Sequence, residues 1–87
     1  MKIISRPVEM IAWFHQKQWP EPVKFRLRGA DGTLTTIRVD RIAEVREEKR
    51  AGIRSYVYRC QSLVEEQQRV YELQYLVEEC RWVLYKM

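Results

Sequence analysis

The sequence predicts an all-β fold: one small domain, built as a six-stranded antiparallel meander bent strongly enough to form a barrel or roll. Three observations predict it. Val23-Lys24-Phe25-Arg26-Leu27-Arg28 alternates apolar and basic residues without a slip, and successive side chains of a strand point to opposite faces. Asp31-Gly32 lies between two alternating runs and is a hairpin signal, because both residue types tolerate positive φ. Each later segment follows its predecessor after a short loop, whereas a parallel pairing needs a crossover of about a dozen residues or more.

The elements follow in order. Val8-Glu9-Met10-Ile11-Ala12-Trp13-Phe14 is rich in apolar and aromatic residues and reads as the first strand. Gln16-Lys17-Gln18-Trp19-Pro20-Glu21-Pro22 is polar and broken by two prolines, so it is a loop. Residues 23–28 are the second strand and residues 34–39 the third, with Thr35, Ile37 and Val39 on one side of it. After Asp40 the alternation slips. Arg41-Ile42-Ala43-Glu44-Val45 reads either as a bulge that re-aims the strand or as the start of a short helical turn within residues 42–51. In the second case Asp40 is its N-cap and Gly52 its C′ residue. Residues 46–52 are in both cases a charged connection.

Alternation returns over residues 53–63, with Tyr56, Tyr58 and Cys60 on one side and Val57, Arg59 and Gln61 on the other. Glu65-Glu66-Gln67-Gln68 is a polar turn. Residues 69–75 alternate again, with Tyr71, Leu73, Tyr75 and Val77 in register. Glu78-Glu79-Cys80 is a tight connection, and Trp82-Val83-Leu84-Tyr85 is the last strand. A single helix over residues 62–86 is the rival reading, since Ser62-Leu63-Val64-Glu65 matches a capping box. It is set aside because the apolar residues of that stretch surround a helical cylinder instead of forming a stripe, and more than half of them are β-branched or aromatic. The expected core is Val23, Phe25, Leu27, Ile37, Val39, Tyr56, Tyr58, Leu73, Tyr75, Trp82 and Leu84.

Composition bounds the function. The 87 residues are 46% hydrophobic and 11% aromatic, which suits a folded core and not a disordered chain. At this size folding buries only roughly 60–65% of the unfolded chain's surface, so a homodimer over an uncovered sheet face is one expected way to complete the core. No apolar run approaches the roughly 20 residues of a membrane span. The opening Met1-Lys2-Ile3-Ile4-Ser5-Arg6-Pro7 lacks a signal-peptide pattern, so the expected compartment is the cytoplasm, with Cys60 and Cys80 reduced.

Motifs for catalysis and cofactors are missing. His15 is the only histidine, and Ser5 is near it in sequence, but nothing orients them as a nucleophile–base pair. With His15, the two cysteines lack a fourth ligand and Cys-x₂-Cys spacing, so no metal is expected. Gly29, Gly32 and Gly52 form no phosphate-cradling loop. Glu47-Glu48 and Glu78-Glu79 are neighbours in sequence whose side chains point apart on a strand. The expectation is a non-enzymatic module with no cofactor and no small-molecule substrate.

What remains is charge. The chain carries a formal net charge of +4, and residues 24–59 hold ten of the sixteen Lys/Arg against five Asp/Glu. Lys24, Arg26 and Arg28 stand about 6.8 Å apart along one strand face, comparable to the phosphate step of an extended single strand. Hairpin pairing across Asp31-Gly32 brings Thr36 and Arg38 beside them, and Arg54 and Arg59 are candidates to extend the row. Trp13, Trp19 and Trp82 are candidate stacking platforms if exposed. Two partner classes follow: another protein, or a second copy, held through an edge strand or an exposed apolar face; and, as the alternative, a nucleic acid held on the basic face.

Arg6-Pro7-Val8-Glu9, Pro22-Val23-Lys24-Phe25-Arg26, Tyr58-Arg59-Cys60-Gln61-Ser62, Val70-Tyr71-Glu72-Leu73-Gln74-Tyr75 and the ending Trp82-Val83-Leu84-Tyr85-Lys86-Met87 resemble a family of short all-β bacterial proteins of unknown function. The resemblance spans most of the chain and implies no catalytic residue. The Pro-Val-Glu opening and the Phe-Arg second strand also resemble small all-β proteins encoded beside translesion DNA polymerases, a likeness that favours the nucleic-acid reading.

Overall fold

A computed structural model describes residues 1–16 and 18–87. The chain is all-β, with seven strands: β1 (Ile3–Trp13), β2 (Glu21–Arg28), β3 (Leu34–Arg38), β4 (Arg41–Arg50), β5 (Ile53–Val64), β6 (Gln67–Leu76) and β7 (Arg81–Lys86). They form one antiparallel sheet in the order β3-β2-β1-β7-β6-β5-β4, curled into a half-barrel. β1 and β7 pair, so the two ends of the chain meet, and Lys2 and Met87 exchange backbone hydrogen bonds of 3.0 Å in both directions. Among the described residues no helix is long and apolar enough to cross a membrane.

The strand missing from the sequence reading is β4. The stretch read as a bulge or helical turn, and then as a charged connection, is a ten-residue strand paired with β5 from Arg41↔Gln61 to Arg50↔Ile53. The bulge half of that reading holds: the register shifts between Ile42 and Glu44, and the shift turns both Ile42 and Val45 toward the core. The helical half does not. Asp40 caps no helix; its carboxylate accepts the Leu63 N–H at 2.8 Å. Gly52 (φ 83) with Ala51 (φ 50) makes the two-residue turn of the β4–β5 hairpin, where positive φ at both positions matches strand twist. The Glu65-Glu66 turn of the next hairpin uses the same geometry, with φ values of 49 and 64.

β1 starts earlier than expected, at Ile3, and runs through Pro7. Proline lacks a donor and is confined to places where no ladder bond is needed. The β1–β2 register stops at Glu9↔Arg26, beyond Pro7, and the Arg28 carbonyl accepts instead from the Arg6 guanidinium. The β2–β3 loop has the expected Asp-Gly chemistry: Asp31 Oδ1 accepts the Thr33 N–H at 2.9 Å, and Gly32 has φ 85.

The core is aromatic. Phe25, Ile37, Tyr58, Cys60, Tyr71, Leu73, Tyr75, Trp82 and Leu84 are buried together. Leu27, Val39 and Tyr56 pack partly against them, whereas the expected Val23 is only half-buried. Phe25 meets Tyr71 edge-on at 5.7 Å, and Trp82 lies 5.3 Å from Tyr58 and 4.8 Å from Tyr75. The β1–β2 connection covers one end of this core. Phe14 packs on Tyr75, Trp19 packs on Tyr58, and the Tyr58 hydroxyl donates to the Pro20 carbonyl at 2.5 Å.

The half-barrel is fastened at its seam. The chain passes from β3 to β4 through Val39 and Asp40 alone, leaving the β2 ladder and joining that of β5. The Val39 N–H reaches the Val23 carbonyl at 2.9 Å, and the Asp40 N–H reaches the Gln61 carbonyl at 3.1 Å. Ser62, only 1% exposed, donates its hydroxyl proton to the Arg38 carbonyl at 2.5 Å. That uses its one proton, so the buried Tyr71 hydroxyl, 2.5 Å away, must donate to Ser62 Oγ. The two substitutions in this relay therefore differ. Ser62→Ala leaves both the Arg38 carbonyl and the Tyr71 hydroxyl without partners and is expected to cost about 2–4 kcal/mol; Tyr71→Phe spares the Ser62–Arg38 bond and costs about 1 kcal/mol. Urea unfolding of the two variants checks the order, and equal losses would refute the relay.

Candidate interaction surface

Three of the six basic candidates, Lys24, Arg26 and Arg28, share the outer face of β2, because the residues between them, Phe25 above all, point into the core. Cross-strand pairing places their neighbours. Lys24 lies between Ile11 of β1 and Arg38 of β3; Arg26 lies between Glu9 and Thr36; Arg28 lies opposite Leu34. Directly opposed residues of a sheet share a face, with Cβ atoms about 4.5–5.5 Å apart. Lys24, Arg26, Arg28 and Arg38 therefore form one patch, as the hairpin register requires.

The patch is not an unbroken cation row. Arg26 Nε donates to Glu9 Oε1 at 2.5 Å, and that hydrogen bond, with the charge of Arg26, holds the Glu9 carboxyl below the ordinary carboxylate range. The centre of the patch is thus a paired, nearly neutral couple. Among the described residues, Lys24, Arg28 and Arg38 make no ion pair; Arg28 reaches back to the Gly32 carbonyl at 3.4 Å. Beside the cations Ile11 is 57% and Trp13 66% exposed. Trp13 stacks on His15 at 5.9 Å, and His15 Nε2 lies 3.0 Å from Glu21 Oε1, so the ring is held and not swinging free. A shallow cleft of about 430 Å³ runs between Glu9, Ile11, Lys24, Arg26 and Thr36.

Arg54 and Arg59 do not join this patch as free cations. Both lie on β5. Arg54 donates to Glu47 at 2.8 Å and to the Tyr56 hydroxyl at 2.9 Å. Arg59 donates to Glu72 at 3.1 Å. Of the three tryptophans only Trp13 presents a free face, since Trp82 is buried and Trp19 packs on Tyr58. Cys60 is buried, and burial pushes its thiol up to about 12. Cys80, by contrast, is exposed in the β6–β7 turn.

The outer face of β4–β7 is built differently. A cross-strand row runs Glu44, Arg59, Glu72, Lys86, one residue per strand and alternating in sign. Glu72 is only 1% exposed and receives Arg46 at 3.4 Å as well as Arg59; Arg46 also holds Glu48 at 3.1 Å. Burial alone would raise the Glu72 carboxyl. The hydrogen bonds from Arg46 and Arg59, with the charges of Arg46 and Lys86, outweigh it and hold the group below its ordinary value.

The sheet's two edges are poor docking sites. β4 carries seven charged residues in ten, a pattern that discourages edge pairing. β3 is five residues long, and its Arg38 carbonyl is already taken by Ser62. Leu63 and Val70 are exposed apolar residues on the outer face of β5 and β6, whereas the outer face of β1–β3 sets exposed Ile11 and Trp13 near its cations. Its cations and Trp13 were legible in the sequence; Glu9 and Ile11 were not, because only the β1–β2 register places them there. No protein-family model, curated protein or solved structure matches the chain.

The Glu72 cluster has a pH signature. A carboxyl whose folded pKa lies below its unfolded value adds stability above the unfolded value, about 4.3, and loses it as pH falls through the folded one. Stability is expected to fall below about pH 4.5, and Glu72→Gln to flatten that decline. At pH 7 the variant should lose about 1–2 kcal/mol, less than the roughly 3–5 of a fully buried broken pair, because both arginines keep water contact. Urea midpoints measured from pH 3 to 7 test both statements, and an unchanged acid limb in Glu72→Gln would contradict them.

Proposed function

We propose that this chain is a non-enzymatic binding module that docks a partner protein on the outer face of β1, β2 and β3. The observation that carries the reading is the exposure of Ile11 and Trp13 beside the Lys24–Arg38 pair. An apolar strip with an aromatic and flanking Arg is the composition of protein-binding surfaces, whose energy concentrates in a few such anchors. β2, at the centre of the face, is paired with β1 on one side and β3 on the other, so its backbone is ordered before a partner arrives, and the edges offer no comparable surface. Among the described residues no nucleophile stands beside a base: the Cys60 thiol stays protonated at neutral pH, and the His15 ring is engaged with Trp13 and Glu21. Two unbridged cysteines fit the cytoplasm, where thiols stay reduced.

A second reading has its own support. Lys24, Arg28 and Arg38 with the exposed Trp13 are the elements of a single-stranded nucleic-acid surface. Salt separates the two, because phosphate binding weakens with a log–log slope of about −0.7 per neutralised phosphate of a single strand.

Photo-crosslinking from benzoylphenylalanine placed at Ile11, in cells of the source organism, tests the first reading. The expected result is an adduct removed by protease and untouched by nuclease, and absent when the probe replaces Arg81. Adducts sensitive only to nuclease, or equal yields at both positions, would sink it in favour of the second. In that case replacing Lys24, Arg26 and Arg28 together by Gln should abolish oligonucleotide binding and leave the thermal transition in place.

A further inference from the structure

The spacing of the free cations says what kind of segment this face takes. Lys24 and Arg28 are four residues apart on β2, about 13–14 Å at the rise of a strand. Between them Arg26 is neutralised by Glu9. Arg38 doubles the charge at the Lys24 end, and Ile11 and Leu34 put apolar surface next to each pole. An extended polypeptide lying along β2 has the same rise per residue. Its residues at i and i+4 reach the two cationic poles, and its residue at i+2 lies over the paired centre and the cleft beside it.

We propose, building on the reading of this face as a protein-docking surface, that its occupant is an acidic extended segment with carboxylates at every fourth residue and an uncharged, apolar residue midway between them. The carboxylates lie on the Lys24–Arg38 pair and on Arg28, and the apolar residue lies over the Arg26–Glu9 couple against Ile11.

The same geometry weighs against other occupants. A second copy of the chain docking face to face would bring Lys24, Arg28 and Arg38 against their own like charges. A single-stranded nucleic acid sets a phosphate at about every second strand residue, so it needs the middle cation as well. That cation is committed to Glu9, whose own charge repels phosphate, and the apolar Ile11 offers a phosphate nothing.

Fluorescence anisotropy of the full chain at low salt tests this with three labelled probes. The first is (Glu-Thr-Leu-Thr) repeated three times. The second has the same composition with its Glu, Thr and Leu in blocks, and the third is a twelve-nucleotide oligothymidylate. The regular peptide should bind at least fivefold more tightly than the block peptide and more tightly than the oligonucleotide. The double substitution Lys24→Gln/Arg38→Gln should weaken it at least tenfold, Ile11→Ser at least threefold, and Arg81→Gln not at all. All four positions are solvent-facing or half-buried, and amide spectra confirm that each variant is folded. Equal binding of both peptides, tighter binding of the oligonucleotide, or no binding of the regular peptide each overturns the proposal. If the crosslink at position 11 still yields a protein adduct when the peptide fails, the docking surface stands and only this account of its occupant falls. If both fail, both fall.

Discussion

The chain holds its shape because one uninterrupted run, residues 34–50, belongs to two hydrogen-bond ladders in turn. Its first part pairs with β2 and its second with β5, and the change takes place at Val39 and Asp40. Nothing in a meander by itself requires its two ends to approach. Here the corner favours the approach: Asp40 bonds β5 through both its N–H and its carboxylate, and Ser62, itself held by Tyr71, donates to the Arg38 carbonyl. A buried carbonyl without a donor costs about 1–3 kcal/mol, a large share of the stability of a domain this small. The curl it enforces brings Phe25 and Ile37 of one half onto Tyr58 and Tyr71 of the other, so the aromatic core follows from the corner and not the reverse.

Curling the sheet gives it an inside and an outside, and the outside is not uniform. Over β4–β7 the charges answer one another: Glu44, Arg59, Glu72 and Lys86 alternate across four strands, and Arg46 closes the cluster from the next position. Such a row resists a one-residue slip, which would turn every side chain to the other face. Over β1–β3 only Arg26 and Glu9 pair with each other among the described outward charges, and apolar Ile11 stands beside Lys24. The contrast argues for function. The same chain that encloses Glu72 between two arginines leaves Lys24, Arg28 and Arg38, a few strands away, outside any ion pair among the described residues.

Much of this was legible from residue order. β2, β3, β5 and β6 announce themselves through strict alternation, and Asp31-Gly32 fixes the register that gathers Lys24, Arg26, Arg28 and Arg38. β4 did not announce itself. Seven charged residues leave only Ile42 and Val45 to mark its inner face, and the bulge after Ile42 spaces them three apart, which mimics a helical turn. Ala51-Gly52 gave little help, since a glycine ending a charged run reads equally as a helix C-terminus. The partners of Arg26, Arg54 and Arg59 escaped for a different reason. Ion pairs across strands depend on register, and a one-residue difference in pairing would have freed all three. The outward side of β1 was equally opaque: Met10, Ile11, Ala12 and Trp13 are apolar throughout, so alternation cannot say which pair faces water.

That last ambiguity is itself informative. A strand between two paired neighbours, apolar on both faces, is ordinarily covered on both. β1 is covered on one. Met10 and Ala12 pack inward, and Ile11 and Trp13 remain in solvent on a backbone that pairs with β2. Scattered apolar residues on a surface need no explanation. Two on the same face of one strand, Ile11 opposite Lys24 and Trp13 opposite Glu21, are harder to assign to chance. Because the strand is already ordered, a partner that covers them gains the burial without the entropy of folding a loop. A partner of the kind proposed would supply the second layer that β1 lacks over Ile11 and Trp13.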